Sequence, residues 1–181
     1  MQDFYLEQAF MAPLTPAREQ SLLQRLAACA DAHHARWRDC LVDGERQRLV
    51  CRVEAGDLQT ARSAALCSGF TPATWLSPVP GTTTTVTGND TRAGLVDVLA
   101  ECRRDTAAAA LEVAQARHVC TWCLGALRVE PGPMVMSTDG RRVLAFFRAP
   151  DAEAVRNAYR RGDLPFDRVV ALRRIGQSSP T

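Results

Sequence analysis

The sequence predicts an α+β fold: two tandem ferredoxin-like β-α-β-β-α-β units forming one pseudo-dimeric α+β barrel. Three observations predict it. The same succession of strand, helix and turn signals runs twice along the chain. The two runs superpose without a gap at an offset of 94 residues, so that Glu7 falls on Glu101, Cys29 on Cys123, Arg48 on Arg142, Ala55 on Ala149, Asp57 on Asp151 and Arg62 on Arg156. A stretch rich in Pro, Thr and Gly separates them. Repeats are sought first because they set the architecture.

In the first half, Phe4–Phe10 reads as a strand. Thr15-Pro16 is a helix start, a hydroxyl cap followed by a proline at the one helical position where its missing N–H costs nothing. Leu22, Leu23, Leu26, Ala27 and Ala30 then recur at helical spacing toward an end near His33-His34. Ala35–Val42 and Arg48–Glu54 are strands joined across the Asp43-Gly44 turn. Gly56-Asp57 opens a second helix through Cys67, and Gly69 stops it. Phe70–Leu76 is a short fourth strand, weakened by Pro72.

The segment Leu76–Gly94 has no helical period and reads as a linker. The pattern then restarts. Val96–Arg103 is a strand, Asp105-Thr106 begins an Ala-rich helix to about Leu124, and Leu127–Ser137 is a strand interrupted by Pro131-Gly132-Pro133. Asp139-Gly140 turns into the strand Arg141–Arg148, Asp151–Arg161 is a helix stopped by Gly162, and Asp167–Leu172 is the last strand. The expected division is a first unit over 1–77, a linker over 78–94, a second unit over 95–176 and a frayed tail over 177–181. Two helices on one face of each four-stranded sheet leave the other face to be covered, and the sister unit is the natural cover. A fused pair does in one chain what a homodimer does with two, and further homodimerisation stays open.

The bulk numbers exclude several classes. Apolar residues make up 46% of 181, enough for a buried core and too many for a disordered chain. The net charge of +2 is too mild to predict a nucleic-acid or membrane partner. All basic residues are arginine, as a GC-rich coding sequence would give. No segment reaches the run of about 18 apolar residues that a membrane span needs. Met1–Phe10 carries Asp3 and Glu7 and lacks a basic leader pattern, so a cytoplasmic protein is expected. Its seven cysteines are then expected as reduced thiols, and an odd count argues against a complete disulfide framework.

The second half carries a specific likeness. Leu99-Ala100-Glu101, Ser137-Thr138-Asp139, the helix start Ala149–Arg156 and the closing Leu164–Val169 resemble a family of small bacterial ferredoxin-like proteins catalogued as a domain of unknown function, one branch of which binds nickel. The first half matches more loosely, through Tyr5-Leu6-Glu7, Trp37–Cys40 and Cys51–Ala55. Cys40 stands where that family has Ser, and Pro131 where it often has an aromatic residue. The resemblance implies a ferredoxin-like fold, barrel association and binding of nickel or another divalent transition metal.

Three sets of side chains carry chemistry. His118, Cys120 and Cys123 bring imidazole and thiolate, ligands suited to nickel, zinc or copper, into a CxxC-containing run. No second CxxC completes a zinc ribbon, and both thiols also read as buried small hydrophobes. Cys29 and His33 lie one helical turn apart and can chelate one ion, with His34 adjacent. The bland alternative is a core cysteine beside two solvent-facing histidines. Glu7 and Glu101 are mid-strand carboxylates in apolar runs, which are costly unless paired. They are candidate metal ligands or proton-transfer groups, or else partners of an arginine such as Arg52 or Arg103. Trp37, Trp75, Phe146 and Phe147 read as core, and Arg156, Arg160 and Arg161 as a solvated helix face. Neither a phosphate-binding glycine loop nor any other nucleotide-cofactor motif is present.

The leading expectation is therefore a cytoplasmic metal-binding protein of the nickel type. The alternative is a cofactor-free enzyme, an isomerase, cyclase or monooxygenase, acting on a small organic substrate in a cavity between the two units, with Glu7 or Glu101 moving the proton. A binding protein without catalysis is a third reading. Converging N, S and O ligands would favour metal; a cavity without clustered His and Cys would favour a small molecule.

Overall fold

The computed structural model describes residues 1–70, 74–80, 82, 94–110, 112–114 and 121–175, with the backbone alone at 121 and 122. The chain divides into two compact units, Met1–Leu76 with Arg173–Thr181, and Ser77–Leu172. The first holds β1 (Gln2–Ala9), α1 (Pro16–Ala32), β2 (Arg36–Asp43), β3 (Arg48–Ala55), α2 (Leu58–Cys67) and most of β4 (Thr74–Pro78). The second holds β5 (Val96–Arg103), α3 (Thr121–Ala126), β6 (Glu130–Ser137), β7 (Arg142–Ala149), α4 (Ala152–Arg161) and most of β8 (Arg168–Ile175). Within each unit the strands are antiparallel, in the order β4-β1-β3-β2 and β8-β5-β7-β6.

The expected offset recurs in the element bounds: β1 and β5, β2 and β6, β3 and β7, and α2 and α4 each lie 94 residues apart. Turn geometry repeats with it. His34 and Arg128, Arg46 and Gly140, and Gly69 and Asp163 all take positive φ, between 50° and 79°. These are the chain reversals after helices and between hairpin strands, where a left-handed residue redirects the backbone. The caps match as well. Asp57 accepts from the Thr60 N–H at 2.7 Å, and Asp151 from the Ala154 N–H at 2.8 Å. Each satisfies a donor that the first helical turn leaves over.

Helices cover one face of each sheet. In the first unit Leu6, Leu22, Leu26, Cys40, Leu49, Cys51 and Phe70 form the main packing between them, and Trp37 stacks tilted on Phe70 at 6.1 Å. In the second unit Val98, Ala100, Met134, Val143, Ala145 and Phe147 meet Val155, Ala158 and Tyr159 of α4. The intervening strand residues, including Leu99, Leu144 and Phe146, point to the other face and are buried too.

Several expectations are corrected. Phe70 belongs to the closure of α2, its N–H bonding to Ala65 O, so the fourth strand starts at Thr74 and runs into the expected linker. The strand expected to stop at Leu172 continues to Ile175. Its last turn of chain goes with the first unit, because Arg173 pairs with Glu19 of α1 at 2.9 Å and Arg174 with Asp39 of β2. Pro131-Gly132-Pro133 does not break β6; it is absorbed as a register shift between Pro131 and Met134. The Ala-rich helix does not start at Asp105-Thr106: residues 105–109 are not helical, the Ala108 N–H bonding instead to Gly140 O, and helix is described at 110, at 112–114 and in α3, which ends at Ala126.

The cysteines are not all reduced. Cys29 of α1 is bonded to Cys67 of α2, and Cys40 of β2 to Cys51, its direct partner on β3. Cys102 and Cys123 are free, and Cys120 lies outside the described residues. The expected hairpin already put Cys40 and Cys51 on neighbouring strands, whereas spacing gave no sign of the other bond, since Cys29 and Cys67, 38 positions apart, come together only once both helices pack on the sheet. Among the described residues, no helix is long and apolar enough to cross a membrane.

Candidate functional site

The matched glutamates sit alike. Strand alternation sends Glu7 and Glu101 to the sheet face away from the helices, and each meets an arginine two rungs along the third strand of its unit. Glu7 accepts from Arg48 Nε, and Glu101 Oε1 accepts from Arg142 Nε at 2.6 Å and from Arg103 Nε at 3.1 Å. Both carboxylates are buried, which the ion pairs make tolerable. The expected partner Arg103 is thus found, while Arg52 is engaged elsewhere. Its guanidinium bridges Asp39 at 2.8 Å and Asp3 at 3.6 Å, beside Tyr5. Burial raises both Asp3 and the Tyr5 phenol above their ordinary values, with Arg52 opposing. These groups form a ladder of alternating charge across β1, β3 and β2.

Among the described residues, the expected metal ligands do not assemble. Cys29 is bound in its disulfide and has no thiolate to give. His33 caps the end of α1 through its N–H, and His34 turns out into solvent with φ of 54°. His118 and Cys120 lie outside the described residues, and Cys123 is buried in the second unit's core. Among the described residues, no group of three or more His, Cys, Asp and Glu is placed to hold a metal ion.

A pocket lies instead inside the second unit, between the sheet and the helices. Its volume is about 70 Å³. Ala100 of β5 and Ala145 of β7, directly paired across the sheet, form its floor. Met134, Phe147 and Tyr159 are among its walls, with Leu124 and Val113 above. Phe147 and Phe166 each meet Tyr159 edge to face at 5.8 Å, which fixes that ring against the cavity. The polar side chains are few. Cys102, one turn of the pleat beyond Ala100, and Arg104 stand toward one end, and Tyr159 carries a hydroxyl. Glu101 borders the pocket through its backbone, because its side chain faces the other way. Burial first, then the carboxylates of Asp167 and Glu101, push the Cys102 thiol up, so at neutral pH it is a protonated thiol. A sparse set of polar groups on an apolar lining is the usual make-up of a small-molecule site.

Sequence reasoning had not singled out Ala100, Cys102, Arg104, Ala145 or Tyr159. The legible signal was two alanines, at matched positions where the first unit has Leu6 and Cys51, facing each other once the strands are paired.

No family model matches the chain, and no curated protein does. Solved structures do. One named for chlorite dismutase matches 97% of this chain and 96% of its own, with a TM-score of 0.53 at 6% identity. One named as a monooxygenase, from Fusobacterium nucleatum, matches 97% and 93% with a TM-score of 0.53 at 9% identity. A heme-binding protein from Thermus thermophilus matches 97% and 91% with a TM-score of 0.50 at 12% identity. At such identities the likeness shows the fold alone: an antiparallel eight-stranded α+β barrel of the ferredoxin-like class.

Proposed function

We propose that the chain is a cofactor-free enzyme, of isomerase, cyclase or monooxygenase type, acting on a small organic substrate, and that the substrate occupies the pocket of the second unit. The observation that carries this reading is the pocket itself: an apolar chamber floored by Ala100 and Ala145, with a thiol, a hydroxyl and a guanidinium as its polar side chains. The likeness to a structure named as a monooxygenase supports it at the level of fold. In this reading the apolar walls exclude water and orient the substrate, and the Tyr159 hydroxyl is the group that holds or passes a proton. Glu7 and Glu101, engaged by arginines on the other sheet face, serve the fold.

The Thermus structure raises haem as a cofactor. The described residues do not fit it. An engineered cavity of about 150 Å³ takes one benzene ring, this pocket has 70 Å³, and none of its lining residues is a histidine. The nickel expectation likewise gains no ligand set among the described residues.

The test is a turnover screen of metal-free protein against enones, ketones and hydroxyketones of about three to four carbons, following both substrate loss and dioxygen uptake. Turnover that Tyr159→Phe lowers in kcat at unchanged KM supports the proposal. Binding without turnover across the panel reduces the chain to a carrier and overturns the catalytic part.

A further inference from the structure

We infer that the second unit's pocket selects a short-chain carboxylate, with the apolar tail on the Ala100–Ala145 floor and the carboxylate on Arg104, and that only this unit of the chain is built to bind it. The inference rests on the pocket reading above and adds the ligand's class and the residues that select it.

Matched positions explain why the two units differ. In the first unit, Leu6 and Cys51 are direct partners on β1 and β3, both fully buried, and Cys51 is bonded onward to Cys40. In the second, the same three positions hold Ala100, Ala145 and Met134. A leucine and a cross-strand disulfide fill the first floor; two methyl groups leave the second one low. Around that low floor the walls are taller. Phe147 stands where the first unit has Val53, and Tyr159 where it has Ala65. Deep floor and tall aromatic walls make a cavity, whereas the first unit's arrangement makes a packed core.

Size and charge then restrict the ligand. The 70 Å³ available is roughly half of what a six-carbon ring fills, so an apolar tail of about three carbons is what the floor accepts. At the polar end, Arg104 is exposed, and none of the ion pairs among the described residues engages its guanidinium. Arg103, its neighbour, is held by Glu101 at 3.1 Å. A guanidinium at the rim of an apolar chamber matches a carboxylate, which it can grip with two parallel N–H donors. The protonated Cys102 thiol beside it adds a weak donor and no competing charge.

The experiment is an NMR titration of the full chain with butyrate and with its neutral isostere butyramide. Wild-type protein should bind butyrate at one site, at least about ten-fold more tightly than butyramide, as loss of a charge-assisted pair implies. Shifts should centre on the Ala100 and Ala145 methyls. R104Q should bring butyrate down to the butyramide level, and A145L should abolish both. Equal affinity for the two ligands, or butyrate binding unchanged in R104Q, overturns the inference. If neither binds but a neutral apolar compound does, and A145L blocks it, the carboxylate inference falls while the pocket reading survives. Binding that persists in a folded A145L removes both. R104Q alters an exposed side chain and remains informative should A145L fail to fold.

Discussion

The ion pair between Glu101 and Arg142 is a place where one substitution should cost more than two. The Glu101 side chain is 5% exposed and that of Arg142 16%, with the pair at 2.6 Å. Removing one partner of a buried pair typically costs about 3–5 kcal/mol, because the survivor keeps its desolvation penalty without its compensation. Arg142 reaches some solvent, so the lower end applies, about 3 kcal/mol for Glu101→Leu. Arg142→Met should cost less, about 2 kcal/mol, since Arg103 still donates to the carboxylate. Replacing both by apolar groups removes the uncompensated charge, and the double variant should lose about 2 kcal/mol at most. For a chain of this size, Tm falls about 2–4 °C per kcal/mol, so Glu101→Leu should unfold about 6–12 °C early. Circular dichroism melts of the four proteins complete the cycle. Single losses that simply add in the double variant, within about 0.5 kcal/mol, would refute the reasoning, since they would show that the two charges do not depend on each other.

Other outcomes follow from the same structure. Denatured, unreduced protein should react with four fewer thiol equivalents than reduced protein, and Cys29→Ser, which opens the 38-residue link, should cost about 4 kcal/mol; equal thiol counts would remove both bonds. Cys102 should alkylate slowly at pH 7 and faster as pH rises, and Arg104→Gln should slow it further, because Arg104 is the charge that favours its thiolate; a rate independent of that substitution would contradict this. Asp57 has its carboxyl held below the ordinary value by the Thr60 N–H, so its stabilisation is present above the unfolded pKa and is lost as pH falls through the folded one. Asp57→Ala should therefore lower Tm at pH 7 and not at pH 2. Gly132→Ala should destabilise by about 1–3 kcal/mol, since a Cβ there would sit 2.9 Å from the Phe146 carbonyl oxygen; an unchanged melt would show that the bulge can shift.

Much of the fold was legible because local rules and the global pattern agree. Asp57 and Asp151 announce helix starts by cap chemistry, and the short apolar runs within Val96–Arg103 and Arg141–Arg148 locate β5 and β7. Fourth strands were harder. Phe70 looks like a strand residue yet completes the end of α2, because hydrogen bonding to Ala65 O outweighs its β preference. The site was hardest. Its defining feature is small side chains meeting across a strand pair, and an alanine in a sequence announces nothing until its neighbour is known. Residues rich in chemistry drew attention instead. Cys29 proved bonded, and Glu7 and Glu101 proved held by Arg48 and Arg142, whose positions two rungs away on the third strand emerge only from the register.

A crystal of the protein under xenon pressure tests the central claim most directly, since an apolar chamber of this size takes a polarisable atom without any assumption about substrate. The account predicts xenon density on the Ala100–Ala145 floor beside Phe147 and Tyr159, and its loss in Ala145→Leu. A second unit without xenon, closed over that floor, would contradict the claim that this pocket is where the protein does its chemistry.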